Sequence, residues 1–256
     1  MRRVGRNQRT RAKRRRGVRV RTHGIVISQV HYGPPLGEGV TGASLDELEA
    51  ALVDQPADLN WAWAAERVIP VMSRMRPYPS GFPEPVRTIV EPGVAVAFAI
   101  DVGPAFVPIH ADLLRGWGVE LADVHARALS NLISRAASIR RKEIVHGSVG
   151  GTPTRWLQTG RSIGSLLVLV PDQLGRIFGA APALFITPMR DLIIGLPADG
   201  EPDLPLWLWS EVASNDPNCL GPVGYRFDGT RIVPEALDDS GHLDGPPMPG
   251  KSVYVA

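Results

Sequence analysis

Hydrophobic positions along this chain fall into short blocks broken by glycine and proline, and one block carries a long helical period. Leu121, Val124, Ala128, Leu129, Leu132, Ile133 and Ala136 recur at three- and four-residue spacing, the stripe of a single helix face. They predict a helix from Leu121 to about Arg140. Arg135, Arg140, Arg141 and Lys142 put positive charge at its C-terminal end, where the helix dipole favours it. Upstream, Ser44-Leu-Asp-Glu47 is a capping box, followed by Leu45, Leu48 and Leu52 at helical spacing. A second helical stretch is predicted from about Leu59 to Met72, with Trp61, Ala65, Val68 and Met72 on one side and Pro70 kinking or ending it. Ala111 to Trp117 reads as a short helix stopped by Gly118. Pro171 suits a first helical turn and opens a helix to Phe178. Asp203 to Ser214 reads as a helix carrying Trp207 and Trp209, which point about 200° apart on a 3.6-residue period. One of them can therefore be core while the other faces a partner; core packing is the expected role.

The remaining apolar runs are short, β-rich and bounded by turn residues. Thr88 to Val90 and Val94 to Ile100 flank Glu91-Pro92-Gly93, and Phe106 to Ile109 follows Gly103-Pro104. Arg155 to Gln158 and Leu166 to Val170 read as strands, the latter ended by Pro171. Ala183 to Thr187 and Leu192 to Leu196 form a hairpin around Pro188-Met189-Arg190-Asp191. Val223 to Phe227, Asp228-Gly229 and Thr230 to Val233 form the strongest hairpin in the chain. The proline-rich "RPYPSGFPEP" (76–85) and "HGSVGGTPT" (146–154) read as loops, the latter flexible. These elements predict an α+β fold, a mostly antiparallel sheet built from hairpins with helices packed on it. Residues 1–43 are expected to be a disordered basic arm and Gly/Pro linker, 44–75 a small helical segment, 86–235 the main domain and 236–256 a loose tail.

Charge changes this picture at one end. The formal net charge is only +2, yet residues 1–24 hold ten Arg, one Lys and no acid, while the other 232 residues hold 17 bases and 26 acids. An acidic body thus carries a basic arm. Arg14, Arg15 and Arg16 lie at its centre, and guanidinium groups pair bidentately with phosphate, so nucleic acid or another polyanion is one expected partner. No aromatic residue interleaves the arm, so base stacking is not offered. Two blander readings stand beside it: an extension from a start called too far upstream, since Arg-heavy, Lys-poor sequence is what GC-rich DNA encodes, and a solvated tail resting on the acidic body. The apolar run after the arm, Ile25 to Val30, is too short for a twin-arginine signal. A single cysteine, Cys219, excludes an internal disulfide framework and fits a reducing, cytoplasmic setting. No apolar stretch reaches the roughly 18 residues a spanning helix needs, so no membrane is expected.

Candidate chemistry is sparse. Gly160-Arg-Ser162-Ile-Gly164 matches G-x-S-x-G, "HGSVGG" (146–151) resembles an oxyanion-hole motif, and Asp228 or Asp238 with His242 would complete the order of a hydrolase triad. The match is weak. A nucleophile elbow needs a parallel sheet and a following helix, whereas this pattern leads into an apolar run that Pro171 ends. A Gly-rich turn is the expected role. The six histidines are scattered without ligand spacing, so no metal is expected; His125, beside the apolar stripe, reads as a core histidine. Neither a phosphate-binding G-x-x-x-x-G-K-S/T nor a dinucleotide G-x-G-x-x-G occurs in context, and no cofactor is expected.

The order of several segments adds a resemblance. "VIPVMSR" (68–74), "VAFAIDVGPAFVPIHADLLRGWGVELADVHARALSNL" (96–132), "SLLVLVPDQL" (165–174), "ALFITPMRDLIIGLP" (183–197) and "YRFDGTRIVP" (225–234) resemble the YtpQ-like uncharacterised bacterial family, a domain of unknown function. The likeness spans residues 68–234, and its most specific part runs from Ala97 to Leu132. It implies a cytosolic α+β protein, carries no established activity, and directs attention to Arg74, Asp101, Asn131, Arg190 and Asp191 as binding residues. Relatives tend to carry an acid where this chain has "GRSIGS". Together these readings point to a cytoplasmic binding or interaction protein, its partner an unknown protein or small ligand. Polyanion association through the arm is the first alternative and a serine hydrolase at Ser162 the second; no residue is assigned as catalytic.

Overall fold

The computed structural model describes residues 21–22, 25–26, 60–74, 84–91, 94–103, 106–181, 183–214, 219–237 and 253–254. Arg14, Arg15, Arg16, the predicted Ser44 helix, most of the linker and most of the tail lie outside the described residues. At the end of the arm, where composition predicts no structure, Arg21–Thr22 (β1) pairs antiparallel with Ile25–Val26 (β2).

The first half of the main body builds a small antiparallel sheet. Trp61–Ala65 (α1) is one short helical turn capped by Asn60, whose side chain accepts from the Trp63 amide at 3.0 Å. The helix expected to continue to Met72 instead gives way to a strand, Val68–Arg74 (β3). Pro70 explains how. Arg67 O accepts from Asp101 N at 2.9 Å, so alternation along the ladder turns the nitrogen of Pro70 away from the neighbouring strand, and its missing N–H costs no ladder bond. The neighbour is Val94–Asp101 (β5), which also pairs with Arg87–Glu91 (β4) and, at its end, with Phe106–Pro108 (β6). Ala111–Trp117 (α2) ends at Gly118 with φ +66°, and Leu121–Ala137 (α3) follows, its N-terminus closed by a reciprocal Glu120–Asp123 capping box. Val124, Ala128, Leu132 and Ala136 are fully buried and lay α3 on β3. His125 falls off this stripe: it is exposed, with its ring 5.5 Å from that of Phe98, so it is not a core histidine.

The second half builds a seven-stranded sheet in which every pairing is antiparallel. Its order is Ile232–Ala236 (β12), Val223–Phe227 (β11), Ala183–Met189 (β9), Leu192–Pro197 (β10), Thr152–Gln158 (β8), Val145–Val149 (β7) and Val253–Tyr254 (β13). The expected loop at 146–154 is therefore the β7–β8 hairpin. Val149 pairs with Thr152 across Gly150 and Gly151, both at positive φ, the tight turn whose twist suits a two-residue hairpin. Pro153 is accommodated because β10 reaches β8 only from Arg155 onward. In the tail expected to be loose, β13 joins the edge of β7.

The central strands are buried on both faces, which is why Ala183–Met189 and Leu192–Pro197 show no alternation. Phe185, Ile193, Leu157, Tyr225 and Phe227 face the large core that also receives α3 and Pro171–Phe178 (α4). Ile186, Ile194, Leu196 and Trp156 face Leu204–Ala213 (α5) on the other side. Trp207 and Trp209 are both buried. Trp207 packs in this second core, and Trp209 donates from Nε1 to Leu220 O at 3.0 Å, so neither is a partner surface. The predicted strand at 166–170 is a 3-10 helix, Ser165–Leu169. Its residues Leu166, Leu167 and Val168 are buried on every side, a situation in which apolar content cannot distinguish helix from strand. The β11–β12 connection is also longer than expected, since Phe227 pairs with Ile232. Asp228 folds the loop by accepting from the amides of Thr230 at 2.8 Å and Arg231 at 2.7 Å. Among the described residues no helix is long and apolar enough to cross a membrane.

Candidate functional site

Asp191 organises the G-x-S-x-G segment. It stands in the two-residue turn Arg190-Asp191 between β9 and β10, where Met189 pairs with Leu192. Its carboxylate accepts from the Thr159 hydroxyl and the Gly160 amide and, more distantly at 3.4 Å, from the Gly164 amide. Next to it, Arg190 O accepts from Ser165 N at 3.2 Å and Ser165 Oγ at 2.7 Å. The segment 159–165 is thus clamped onto the hairpin tip from both ends. Gly164 is required at this contact: a Cβ there would lie 2.5 Å from Asp191 O, a backbone atom with little room to move.

Ser162 is the one non-glycine residue at positive φ among the described residues, at +56°. That strain resembles the turn of a nucleophile elbow, but the surroundings differ. β8 enters the turn from an antiparallel sheet, the exit is a five-residue 3-10 helix, and "HGSVGG" belongs to a hairpin. His242 lies outside the described residues. The local geometry makes Ser162 part of a docked turn.

Of the residues the resemblance pointed to, Asn131 lies in α3 and Asp101 meets its Arg135, whereas Arg74 ends β3 and Arg190 and Asp191 form the β9–β10 turn. Asp101 pairs with Arg135 and accepts from Gly103 N at 2.8 Å. Asn131 donates to Ala65 O at 2.9 Å and Val68 O at 2.8 Å, and Arg127 Nε donates to the same Ala65 carbonyl at 2.9 Å. Together they satisfy the carbonyls left where α1 passes into β3. One turn beyond Arg135, Ser138 Oγ accepts from Arg161 Nη1 at 3.0 Å, which connects α3 to the Asp191-clamped loop. Arg74 closes β3 opposite Val94. The polar atoms of Asp101, Asn131 and Asp191 thus hold elements together, a role that residue type alone did not reveal.

A separate concavity lies on the α5 side of the seven-stranded sheet. It is an open cleft of about 220 Å³ with walls from Leu184, Leu196, Leu204 and Leu237 and the segment 197–202. Its charged residues are Arg226, Glu235 and Glu201; Arg226 grips Glu235 with two hydrogen bonds of 3.0 and 2.8 Å and reaches Ala198 O at 3.4 Å. Sequence reasoning missed this site. The signal was the β11–β12 hairpin itself, whose register places the two residues diagonally on one face.

Two carboxylates elsewhere have perturbed acidity. Asp228 is held well below the usual carboxylate range by the amides of Arg231 and Thr230 and by the Thr230 hydroxyl. Glu143 is lowered by the Arg140 amide and guanidinium, with a smaller contribution from Arg161. Among the described residues no three His, Cys, Asp or Glu side chains gather as a metal site. No family model, curated protein or solved structure matches the chain.

Proposed function

We propose that this protein is a binding protein without chemistry of its own, and that the cleft beside α5 seats its ligand or a side chain of its partner. The observation that carries the reading is the cleft's lining, in which leucines and prolines stand beside Glu201 and the paired Arg226 and Glu235. Oriented charged groups beside an apolar wall suit an occupant that is small and amphipathic. The roles of Asp191, Asp101 and Asn131 in holding the fold support the same view. Native mass spectrometry of the full chain tests it. A non-covalent mass released on unfolding is expected, and Ala198→Trp, which fills the rim, should abolish it. Retention of that mass by the variant would contradict the proposal.

A second reading is favoured by charge. The arm around Arg14, Arg15 and Arg16 concentrates 11 bases in 24 residues on a body with an excess of nine acids, which suits a polyanion. A salt-dependent mobility-shift assay comparing the full chain with Arg14, Arg15 and Arg16 replaced by Gln would show weaker binding by the variant; equal binding would contradict the arm's role.

A further inference from the structure

We propose that the folded body carries its own binding surface for the phosphodiester backbone of a nucleic-acid duplex, formed by Arg140, Arg141, Lys142 and Arg161 at the C-terminal end of α3. The proposal extends the polyanion reading from the arm to the body, and it stands or falls separately from the arm.

The residues come from two separate parts of the chain, yet they converge. Arg140, Arg141 and Lys142 leave α3 through a 3-10 turn, Arg141–Glu143. Arg161 arrives on the clamped loop and is fixed to Ser138. Arg176 of α4 lies beneath them: its Nη1 and Nη2 donate to Ile139 O at 3.1 Å and Ala136 O at 2.7 Å, and its own carbonyl accepts from Arg141 Nε at 2.8 Å. All five cations are exposed. Among the described residues, Glu143 is the one carboxylate hydrogen-bonded to any of them, through Arg140.

A helix C-terminus attracts cations by its dipole and its unpaired carbonyls, and that accounts for Arg176. It also favours Arg140, Arg141 and Lys142 at this end, but Arg161 reaches it from a separate loop, and all four residues stay exposed. Two of the remaining guanidinium groups are held by one edge, Arg141 through Nε and Arg161 through Nη1, and a third, Arg140, leans on Glu143. A guanidinium fixed on one side presents its other N–H groups in a set direction, which suits two-pronged recognition of phosphate oxygens. Three of the four cations are Arg, whose planar fork matches paired phosphate oxygens, and competition by polyglutamate tests an acidic peptide as the alternative. No aromatic residue occurs at 138–143, 161 or 176, so single-strand stacking is not offered and a duplex backbone is the better fit. Elsewhere the body is acidic, so a local run of four cations confines a polyanion to this end.

The test is fluorescence anisotropy on the full chain with labelled 20-base-pair DNA and RNA duplexes, titrated across salt. Replacing Arg140, Arg141, Lys142 and Arg161 by Gln, with Arg176 kept, should weaken binding at least about tenfold near 100 mM salt. It should also flatten the log–log salt slope by about 3.6, since each of the four phosphate contacts contributes about 0.9. Circular dichroism checks the fold. If that variant melts, Lys142→Glu with Arg161→Glu takes its place, and the same loss is expected. Duplex preference between DNA and RNA identifies the source of the phosphate, and either supports the proposal. Three results would overturn it: unchanged binding by the patch variants, binding lost only when Arg14, Arg15 and Arg16 are replaced, or polyglutamate competing as well as duplex at equal charge. Loss with the patch variant and none with the arm variant would keep the proposal and remove the arm reading.

Discussion

Replacing Asp191 by Ala removes the group that holds the 159–165 segment on the β9–β10 turn. The carboxylate accepts from the Thr159 hydroxyl and the Gly160 amide, with the longer Gly164 contact at 3.4 Å. Hydrogen bonds to a charged acceptor contribute about 1.5–3 kcal/mol each. Water takes over for exposed Gly160, which discounts that bond, but Gly164 is buried and its amide would be left dry. A net loss of about 2–4 kcal/mol follows, equivalent to a melting shift of roughly 5–12 °C for a chain of this size. Urea titration read by tryptophan fluorescence gives the free energy, and constant m shows that the unfolded state is unchanged. A double-mutant cycle with Thr159→Val should return a coupling of about 1 kcal/mol, because the two side chains share a bond. Hydrogen exchange should accelerate at residues 160–165 before it does so in β9. A change below about 0.5 kcal/mol, the range of ordinary surface substitutions, with exchange unaltered would refute the clamp. It would leave Asp191 free for a binding role.

Other substitutions test neighbouring parts of the account. Ser162→Gly should raise stability by about 0.5–1 kcal/mol by relieving a left-handed residue, and Ser162→Ala should change it by less than about 0.5 kcal/mol; thermal melts decide both. Asn131→Ala should cost about 1–3 kcal/mol by leaving the Ala65 and Val68 carbonyls unpaired, and Asn131→Asp should cost more because a carboxylate would then face two carbonyls, as compared by urea midpoints. The depressed acidity of Asp228 means that its charged form stabilises the fold above its ordinary value of 3.8 and that this contribution fades as pH falls toward the lower folded value. The stability gap between wild type and Asp228→Asn should therefore be full at pH 7 and shrink in urea titrations below about pH 4.

The elements legible in the sequence are α3, which shows one face to water, and the hairpins that turn residues mark. α3 was readable because Val124, Ala128, Leu132 and Ala136 bury one stripe, and the β9–β10 hairpin because short β-branched runs flank a turn. The errors share a cause in context. Pro70 and Pro153 looked like breakers, but each sits where its missing N–H faces no partner strand. Leu166 to Val168 are buried all round, and a fully buried run has no period to read. The site residues were legible as types and not as roles. Asp191 stands in a turn, Asp101 ends β5 and Asn131 lies in α3, and only tertiary structure reveals that their partners are the Gly160 amide, the Arg135 guanidinium and the carbonyls of 65 and 68. The cleft and the α3 cationic end each need residues distant in sequence, Leu184 and Leu196 for one and Arg161 for the other, so the local signals at the β11–β12 hairpin and at 140–142 mark only part of each.

The central claim is that the G-x-S-x-G segment is a docked turn in a binding protein. Labelling of the full chain by a serine-directed fluorophosphonate tests it most directly. The account predicts no adduct at Ser162 at any pH where the protein is folded. An adduct at Ser162 that Ser162→Ala abolishes, and that native folding requires, would contradict it.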